Sequence, residues 1–408
     1  MGNLINKLIE RHLEIFNFKK SKKSLKNNLP IKVFWLLRGS HNTASSRLQG
    51  YLIHQELRKH HTSFIDSKLI LDPPFWIDTV PWTAEMYDEF VEISKGQIVI
   101  LQKMFGEKFI NLVKKIRFKG GVVIFVHCDL DEENKVPFFC NTLIVPSKKL
   151  AEWYRIKGLN DIRIINDPIE HSWQKPLKVK NSSKSLTIGW IGHSNNWLSL
   201  DEIQSVLEEE DFFDFKLITI SNHIDADVKW SLENVKKTIV DFDIAVVPII
   251  KSNDVNVKSS NRITMFMSAG IPVIAGDLYA YREVIQNGIN GFVFNSRDEL
   301  KEQLTILRDP KIRSNIGVKG FSTVQKSYSL TKITEKWVEV IMSNNNNFIC
   351  NSSSQLIHDF KFKSNLKFYD LVKNNSKESF LLLKKLKKQF ILNPTFSKLK
   401  AIIKYYLK

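Results

Sequence analysis

Short runs of apolar residues alternate with helical patterns over most of the chain. Continuous apolar runs of this kind are typical of strands buried on both faces, and their alternation with helices indicates parallel sheets. The predicted strands are 32–37, 98–101, 122–126, 142–145, 186–191, 216–220, 244–247, 273–274 and 292–294. The predicted helices are 46–59, 106–118, 147–157, 198–208, 260–269, 298–307 and 311–326.

These elements fall into two groups along the chain. A stretch with Pro168 and Pro176, followed by Lys and Ser residues, separates the groups. We therefore predict an α/β protein with two Rossmann-like domains, 31–170 and 185–343, joined by a linker over 171–184. Because open α/β sheets bind ligands beyond the carboxyl ends of their strands, we expect a ligand-binding cleft between the two domains.

Charge distinguishes the two ends of the chain from its middle. The 408 residues carry a formal net charge of +17. Segment 1–30 has seven basic and two acidic residues, and segment 344–408 has thirteen basic and three acidic residues. The middle of the chain, 31–343, is nearly neutral, with 40 basic and 38 acidic residues. A nucleic-acid enzyme more often carries positive charge on its folded domain, so no nucleic-acid partner is expected. Basic helical extensions at both ends suit an anionic membrane surface.

The sequence also predicts a cellular compartment. No run approaches the ~18 apolar residues of a membrane span, and the N-terminus lacks the features of a secretory signal. Three cysteines without metal-like spacing (Cys128, Cys140 and Cys350) fit a reducing compartment. We predict a cytoplasmic protein that can lie peripherally on the inner face of the membrane. The apolar stripe of residues 4–16 fits either an interfacial helix or packing on the protein's own core, and the C-terminal tail favours the membrane.

Segment 256–296 carries the strongest chemical signal. A polar stretch with Lys258, Asn261 and Arg262 opens a predicted helix, and a Gly-Ile-Pro turn leads from that helix into a buried strand. The N–H groups and dipole at a helix N-terminus favour phosphate, which Arg can bind through two hydrogen bonds. Taken alone, an Arg at a helix start is more often a solvated or capping residue.

This segment resembles the nucleotide-sugar signature of GT-B glycosyltransferases of the family 4 group, of the kind that acts in surface-polysaccharide biosynthesis. The resemblance covers about 31–343 and implies that Arg262 neutralises the donor diphosphate, with Lys258 and Asn261 beside it. The signature's glutamate falls on Met265, so the common pair of glutamates is absent. Glu283 matches a downstream glutamate of the pattern, and it either compensates for that loss or caps its helix.

The loop after strand 186–191 contains three further donor-binding candidates: Gly192, His193 and Asn195. A strand that ends in Gly and small polar residues lets the backbone approach a phosphate or sugar closely. The resemblance places this loop near the donor diphosphate. The alternative is an ordinary turn between a strand and a helix.

The resemblance also assigns roles in the first domain. Five residues that follow its strands are expected on the acceptor side of the cleft: Arg38, Gly39, Ser46, Arg47 and Lys103. His127 and Asp129, after strand 122–126, are candidates for acceptor contact or proton handling, and with Arg262 they form the predicted catalytic set. No metal is expected, because two nearby carboxylates alone are poor evidence for one. The last helix, 331–343, is expected to pack back on the first domain.

The function implied is transfer of a sugar from a nucleotide-sugar donor to a glycan or lipid-linked acceptor, with retention of configuration and no cofactor. Two alternatives stay open. A GT-B sugar-nucleotide epimerase would keep the fold and change the reaction. A degenerate GT-B scaffold would bind a glycan or nucleic acid without catalysis, and Met265 is the feature that favours it.

Overall fold

The computed structural model describes residues 30–171, 173–177, 185–250 and 256–345, together with residues 357, 360, 361 and 364. The predicted N-terminal stripe, the end of the linker and most of the basic C-terminal tail lie outside the described residues. Within the described ranges, no helix is both long and apolar enough to cross a membrane.

Six parallel strands form the sheet of the first domain in the order β2-β1-β3-β4-β5-β6. They are β1 (Ile31–Leu37), β2 (Ile65–Leu71), β3 (Ile98–Gln102), β4 (Val122–Val126), β5 (Thr142–Val145) and β6 (Ile162–Ile164). The central strands β3 and β4 are buried at every residue. Burial on both faces explains why their sequences are continuous apolar runs.

Five α-helices cover the two faces of this sheet. They are α1 (Ala44–Ser46), α2 (Leu52–His60), α3 (Ala84–Ile93), α4 (Glu107–Phe118) and α5 (Lys148–Ile156). The predicted helix 46–59 is interrupted at its start by a π-helical turn, Arg47–Tyr51, whose five residues are all buried. Turns of this type are frequent at functional sites.

The second domain repeats the arrangement with six parallel strands in the order β12-β11-β10-β7-β8-β9. The strands are β7 (Leu186–Ile191), β8 (Phe215–Ser221), β9 (Val228–Lys229), β10 (Ile244–Val247), β11 (Val273–Gly276) and β12 (Phe292–Phe294). Its helices are α6 (Asp201–Leu207), α7 (Leu232–Thr238), α8 (Asn261–Ser268), α9 (Tyr279–Arg282), α10 (Arg297–Ile306) and α11 (Pro310–Tyr328), and helix α12 (Leu330–Ser343) follows. The predicted α/β fold with two parallel-sheet domains is confirmed.

The sequence pattern missed several elements. The strands β2, β6 and β9 and the helices α3, α7 and α9 were not predicted. The predicted helix 198–208 begins as a 3-10 helix, Ser194–Leu200, before α6. Strand β2 was missed because polar residues interrupt it. One of them, Ser67, is buried because its hydroxyl accepts a hydrogen bond from Trp35 Nε1 at 2.9 Å.

The chain crosses between the domains twice, and the two crossings touch. After α11 the chain returns to the first domain, where α12 packs in the core beneath β1, as the resemblance implied. The rings of Trp337 and Trp35 lie 5.2 Å apart there. At the crossings, the backbone N–H of Ile169 donates to the carbonyl of Tyr328 at 2.9 Å. Helix α12 therefore belongs by packing to the first domain, although it lies within the predicted 185–343 unit.

The four described residues beyond 345 also pack on the first domain. Ile357 and Phe360 join its core, and Phe360 is fully buried. The Phe360 ring lies 5.0 Å from Trp82 and 5.4 Å from Phe90. Trp82 Nε1 donates to the hydroxyl of Ser364 at 2.8 Å. Part of the predicted basic tail, 344–408, is thus integrated into the first domain, because Ile357 and Phe360 are buried in that domain's core.

Helix α11 approaches the backbone of the second domain at Gly317. A Cβ at this position would lie 2.0 Å from the carbonyl oxygen of Gly270, and a backbone oxygen cannot rotate away. We expect Gly317→Ala to lower the free energy of unfolding by about 1–3 kcal/mol, the usual cost of overpacking. Urea unfolding of the full chain measures this change. Val318→Ala is the control because Val318 is exposed. Equal stability of Gly317→Ala and wild type would contradict this packing.

Candidate functional site

The carboxyl ends of both sheets carry the predicted site residues. Strand order reverses between β1 and β3 in the first sheet and between β7 and β10 in the second. Ligands of open α/β sheets bind outside the strand ends at such reversals. The loop that follows β10 reaches the first domain, because Val257 is buried in the first domain's core and its carbonyl accepts from Ser147 Oγ at 2.6 Å. The two domains are therefore in contact beside these loops.

Three predicted residues form one charged cluster across the domains. Asp129 lies between Lys103 of its own domain and Lys258 of the second domain. Lys103 Nζ pairs with Asp129 Oδ2, and Lys258 Nζ lies 2.6 Å from Asp129 Oδ1. Burial raises the pKa of Asp129, but the two ammonium charges outweigh burial and hold this pKa well below its usual range. Asp129 is thus a carboxylate at neutral pH.

The backbone of Lys103 is in an uncommon conformation. Its φ of 56° lies in the left-handed region and is the one positive φ of a non-glycine residue among the described residues. Its N–H donates to the carbonyl of Val126 at 3.0 Å, so the hydrogen bonding between β3 and β4 extends one residue beyond the end of β3. Non-glycine residues held in this region cluster at active sites and ligand-binding segments. The turn directs the Lys103 side chain to Asp129.

Arg38 connects the loops that surround Lys103. Its Nε donates to the carbonyl of Ile77 at 3.0 Å, and its Nη1 donates to the carbonyl of Lys103 at 3.2 Å. Its guanidinium lies over two partly exposed rings, 4.6 Å from the centre of Trp76 and 4.2 Å from that of Phe105. Arg38 therefore fixes an aromatic surface at the edge of the cleft, a role that the sequence did not indicate.

The three other acceptor-side candidates lie in the loop after β1 or at the start of the helix that follows it. Arg47 is buried and pairs with Glu170 at 2.6 Å. The Ser46 hydroxyl donates to Gln102 Oε1 at 3.2 Å. Gly39 is in a tight loop, because a Cβ there would lie 2.7 Å from Thr43 Oγ1. These contacts hold the loop after β1 in place and restrict the side chains of Ser46 and Arg47.

His127 is buried rather than open to the cleft. Its Nδ1 lies 2.6 Å from the hydroxyl of Tyr154. Burial, with the positive charge of Lys103, lowers the pKa of His127 to about 4, so the ring is neutral at pH 7. The side chain of Asp129 is 33% exposed and is the more accessible of the two predicted proton-handling residues. The catalytic role of either residue stays a prediction.

Arg262 has a free hydrogen-bonding position. It stands in the first turn of α8, and its Nη2 donates to the carbonyl of Pro248 at 3.4 Å. Its Nη1 is buried and has no hydrogen-bond partner among the described residues. A buried donor without a partner costs about 1–3 kcal/mol, which a bound anion would relieve. Asn261, the first residue of α8, lies beside Arg262.

Glu283 makes another contact between the domains. Lys148, at the start of α5, lies 2.5 Å from Glu283 Oε1. Met265 takes the place of the signature glutamate, and its side chain packs against the core of the second domain. Glu283, the downstream glutamate of the signature, keeps its carboxylate, and this carboxylate is paired with Lys148.

The loop after β7 is organised by contacts of its own. The N–H of Gly192 donates to the carbonyl of Ile220 at 3.1 Å, and the N–H of Asn195 donates to His193 Nδ1 at 3.2 Å. Among the described residues, no hydrogen bond or ion pair joins Gly192, His193 or Asn195 to Lys258 or Arg262. Their donor-binding role stays a prediction, and the backbone N–H of Gly192 is already used within the sheet.

Sequence reasoning missed one buried acid at the domain boundary. Asp167 accepts from Gln49 Nε2 at 2.9 Å and from Ser259 Oγ at 2.6 Å, so it joins the π-turn to the second domain. Burial raises the pKa of Asp167, while the two hydrogen bonds oppose this rise. The signal in the sequence was weak: an acid beside Pro168, shortly before the predicted linker.

The described part of the chain contains no group of three or more His, Cys, Asp or Glu residues that could hold a metal ion. The charged cluster contains one carboxylate and two lysines. Ammonium groups repel cations and attract anions. The arrangement is chemically suited to an anion such as phosphate.

Two buried histidines predict that acid destabilises the fold. Burial lowers the pKa of His54 to about 4, as it does that of His127. Both take up a proton near pH 6.5 when the chain is unfolded. Between pH 6.5 and 4 the unfolded state therefore binds more protons than the folded state. Stability is fully present above pH 6.5 and falls by up to about 1.4 kcal/mol per pH unit for each histidine towards pH 4.

Urea unfolding at about pH 7.5 and about pH 5 measures this loss. We expect His54→Gln to lose less stability than wild type between the two pH values, because one of the two buried histidines is gone. His60→Gln is the control, since His60 is exposed and its replacement leaves both buried histidines in place. A loss in His54→Gln as large as in wild type would exclude His54 as a source of the acid sensitivity.

No protein-family model and no curated protein matches the chain. Solved structures do match its fold. The galactosyltransferase WaaB of the lipopolysaccharide outer core matches with a TM-score of 0.57 and 12% identity, covering 77% of this chain and 99% of WaaB. HepE of Anabaena, solved with UDP and glucose, matches with a TM-score of 0.54 and 12% identity, covering 76% and 99%.

TarM of S. aureus matches with a TM-score of 0.50 and 15% identity over 63% of this chain. The chain spans 57% of the length of TarM. At such low identities the matches concern the arrangement of the backbone. The predicted GT-B fold, with two Rossmann-like domains facing a cleft, is confirmed.

Proposed function

We propose that this protein is a glycosyltransferase that moves a sugar from a nucleotide-sugar donor to a glycan or lipid-linked acceptor. The observation that carries the proposal is the convergence of cations from both domains on the cleft. Lys103 and Lys258 approach one another across Asp129, and Arg262 has a buried free donor at the start of α8. The fold is that of WaaB, named a galactosyltransferase, and of HepE, solved with UDP and glucose.

The chemistry of this transfer needs cations at the leaving group. As the bond between sugar and diphosphate breaks, negative charge develops on the diphosphate, and fixed positive groups stabilise that charge. Arg262 and Lys258 supply such groups on the second domain. A cleft bounded by two domains also excludes water, which would otherwise hydrolyse the donor.

We propose retention of configuration as in the family that the sequence resembles, and NMR analysis of the product anomer tests this.

The acceptor is proposed to bind against the first domain. Arg38 holds the rings of Trp76 and Phe105 at the cleft edge, and such rings can pack against the apolar face of a sugar. A role in surface-polysaccharide synthesis is proposed from the family that the sequence resembles. A lipid-linked acceptor at the inner membrane face is supported by the basic segments 1–30 and 344–408. Flotation of the full chain with anionic and neutral vesicles tests the membrane part of the proposal.

A second candidate is a GT-B scaffold that binds a glycan without transferring sugar. The observation that favours it is Met265, which packs against the core of the second domain where the family signature has a glutamate. Such a protein would bind saccharides and leave nucleotide-sugars unchanged.

The deciding experiment is a calorimetric titration of the full chain with UDP, GDP and their sugars, followed by an assay for release of the nucleoside diphosphate. A transferase binds one nucleotide saturably and releases it from the sugar donor, slowly to water and faster with acceptor. A folded protein that binds none of these ligands is not a transferase of this type. Binding without release in the presence of varied glycan acceptors favours the non-catalytic scaffold.

A further inference from the structure

The carboxylate of Asp129 lies where two ammonium groups from different domains meet. Lys103 pairs with one oxygen, and Lys258 pairs with the other at 2.6 Å. The partners Asp129 and Lys258 are 129 residues apart in the chain, so folding of both domains is needed to form the group. A carboxylate held by two lysines through its two oxygens resembles a phosphate held through two of its oxygens.

The two lysines differ in mobility. Lys103 is largely buried, and its left-handed backbone and its hydrogen bond to Val126 fix its position. Lys258 is more exposed, and its neighbours Val257 and Ser259 hold the loop against the first domain through Ser147 and Asp167. The backbone of each lysine is therefore held by contacts that do not involve Asp129. The Asp129 side chain is partly exposed, so it can leave toward solvent when another anion arrives.

We propose that Lys103 and Lys258 form a phosphate site shared by the two domains, and that Asp129 is an internal occupant which a diphosphate displaces. The inference rests on the proposed function for the identity of its ligand, and it adds Lys103 and Asp129 to diphosphate binding. The diphosphate belongs either to the nucleotide-sugar donor or to a lipid diphosphate acceptor. Because both carboxylate oxygens are engaged, Asp129 acts in this site by competition rather than by accepting a proton from the acceptor.

Displacement has a measurable consequence for affinity. A bound diphosphate must replace both ion pairs of Asp129, so breaking these pairs lowers the affinity that is measured for the diphosphate. Removing the charge of Asp129 removes that competition and also the repulsion between carboxylate and phosphate. Asp129→Asn is therefore expected to bind diphosphates roughly threefold to tenfold more tightly than wild type. A catalytic base at this position would instead leave the affinity unchanged and reduce turnover.

The experiment titrates full-length wild type, Asp129→Asn and Asp131→Asn with UDP, GDP, farnesyl diphosphate and inorganic pyrophosphate. Asp131 is the matched control. It lies in the same loop, and its carboxylate accepts from the backbone of Asn134 rather than pairing with Lys103 or Lys258. We expect tighter binding for Asp129→Asn and no gain for Asp131→Asn. When Lys103→Met is already present, adding Asp129→Asn is expected to give no further gain in affinity for diphosphates. Thermal melting confirms that each variant is folded.

Each outcome separates this inference from the proposed function. If Asp129→Asn binds a nucleoside diphosphate more tightly than wild type does, the site belongs to the donor. If the gain in affinity is confined to farnesyl diphosphate, the site belongs to a lipid acceptor. If wild type binds no nucleotide but Asp129→Asn binds pyrophosphate more tightly, the phosphate site stands and the transferase proposal fails. If wild type binds a nucleotide and Asp129→Asn binds every diphosphate equally or more weakly, the inference is overturned and the transferase proposal stands.

Discussion

Phe360→Ala is expected to lower the free energy of unfolding by about 3–5 kcal/mol, the cost of truncating a fully buried phenylalanine. Phe360 packs in the core of the first domain, with its ring against Trp82 and Phe90. Its removal leaves a cavity among these rings and loosens the hydrogen bond between Trp82 and Ser364. Urea unfolding of the full chain measures the loss. Hydrogen exchange of peptides from α3 localises it to the first domain.

Phe118→Ala is the matched control for Phe360→Ala. Phe118 ends α4 in the same domain, but its ring is 88% exposed, so its removal leaves no cavity. We expect a change within about 0.5 kcal/mol for this variant. Similar stabilities of Phe360→Ala and Phe118→Ala would contradict the docking of the C-terminal residues on the first domain.

Arg262→Ala is expected to weaken binding of the nucleoside diphosphate at least tenfold, corresponding to about 1.4 kcal/mol or more. The buried Nη1 of Arg262 has no partner among the described residues, and it stands in the first turn of α8, where the helix dipole also favours an anion. Calorimetric titration measures the dissociation constant. Release of nucleotide from the sugar donor is expected to fall further, because the leaving group gains charge in the transition state.

Arg282→Ala supplies the control for this loss. Arg282 lies at the end of α9 in the same domain, is exposed, and pairs with Asp277. Its removal takes away the same charge without touching the start of α8. Equal losses in Arg262→Ala and Arg282→Ala would mean that overall charge governs binding, and no loss in Arg262→Ala would exclude it from the donor site.

The central strands could be predicted from the sequence, whereas the outer strand β2 could not. In β3 and β4 both faces are buried, so hydropathy alone marks them. In β2 the buried Ser67 is bonded to Trp35 and His54, residues 32 and 13 positions away. A polar residue that obtains its partners from other elements cannot be recognised as buried from local sequence, because burial depends on those distant partners.

The sequence identified the residues of the candidate site better than their partners. Lys103, Asp129 and Lys258 were all selected because they follow strands or open a helix, and the structure brings them together. Their mutual pairing could not be predicted, since it depends on how the two domains meet. His127 was selected by the same rule, but Tyr154, 27 residues further on, covers it.

The prediction for the C-terminal tail did not include a contribution of this tail to the first domain's core. Its high lysine content indicated a membrane surface, and charge dominated the interpretation. Ile357 and Phe360 nevertheless lie in the core of the first domain. Composition describes the average of a segment, while packing is decided by the few apolar residues on one face.

The hydrogen bond between Ile169 and Tyr328 joins the two places where the chain passes from one domain to the other. Two covalent connections that lie side by side restrict relative motion much more than one. Sliding and twisting would pull the connections apart, whereas rotation about a line through them would not. Rotation about that line is therefore the relative motion that these two connections oppose least. In such a rotation the displacement of each group grows with its distance from the line through Ile169 and Tyr328.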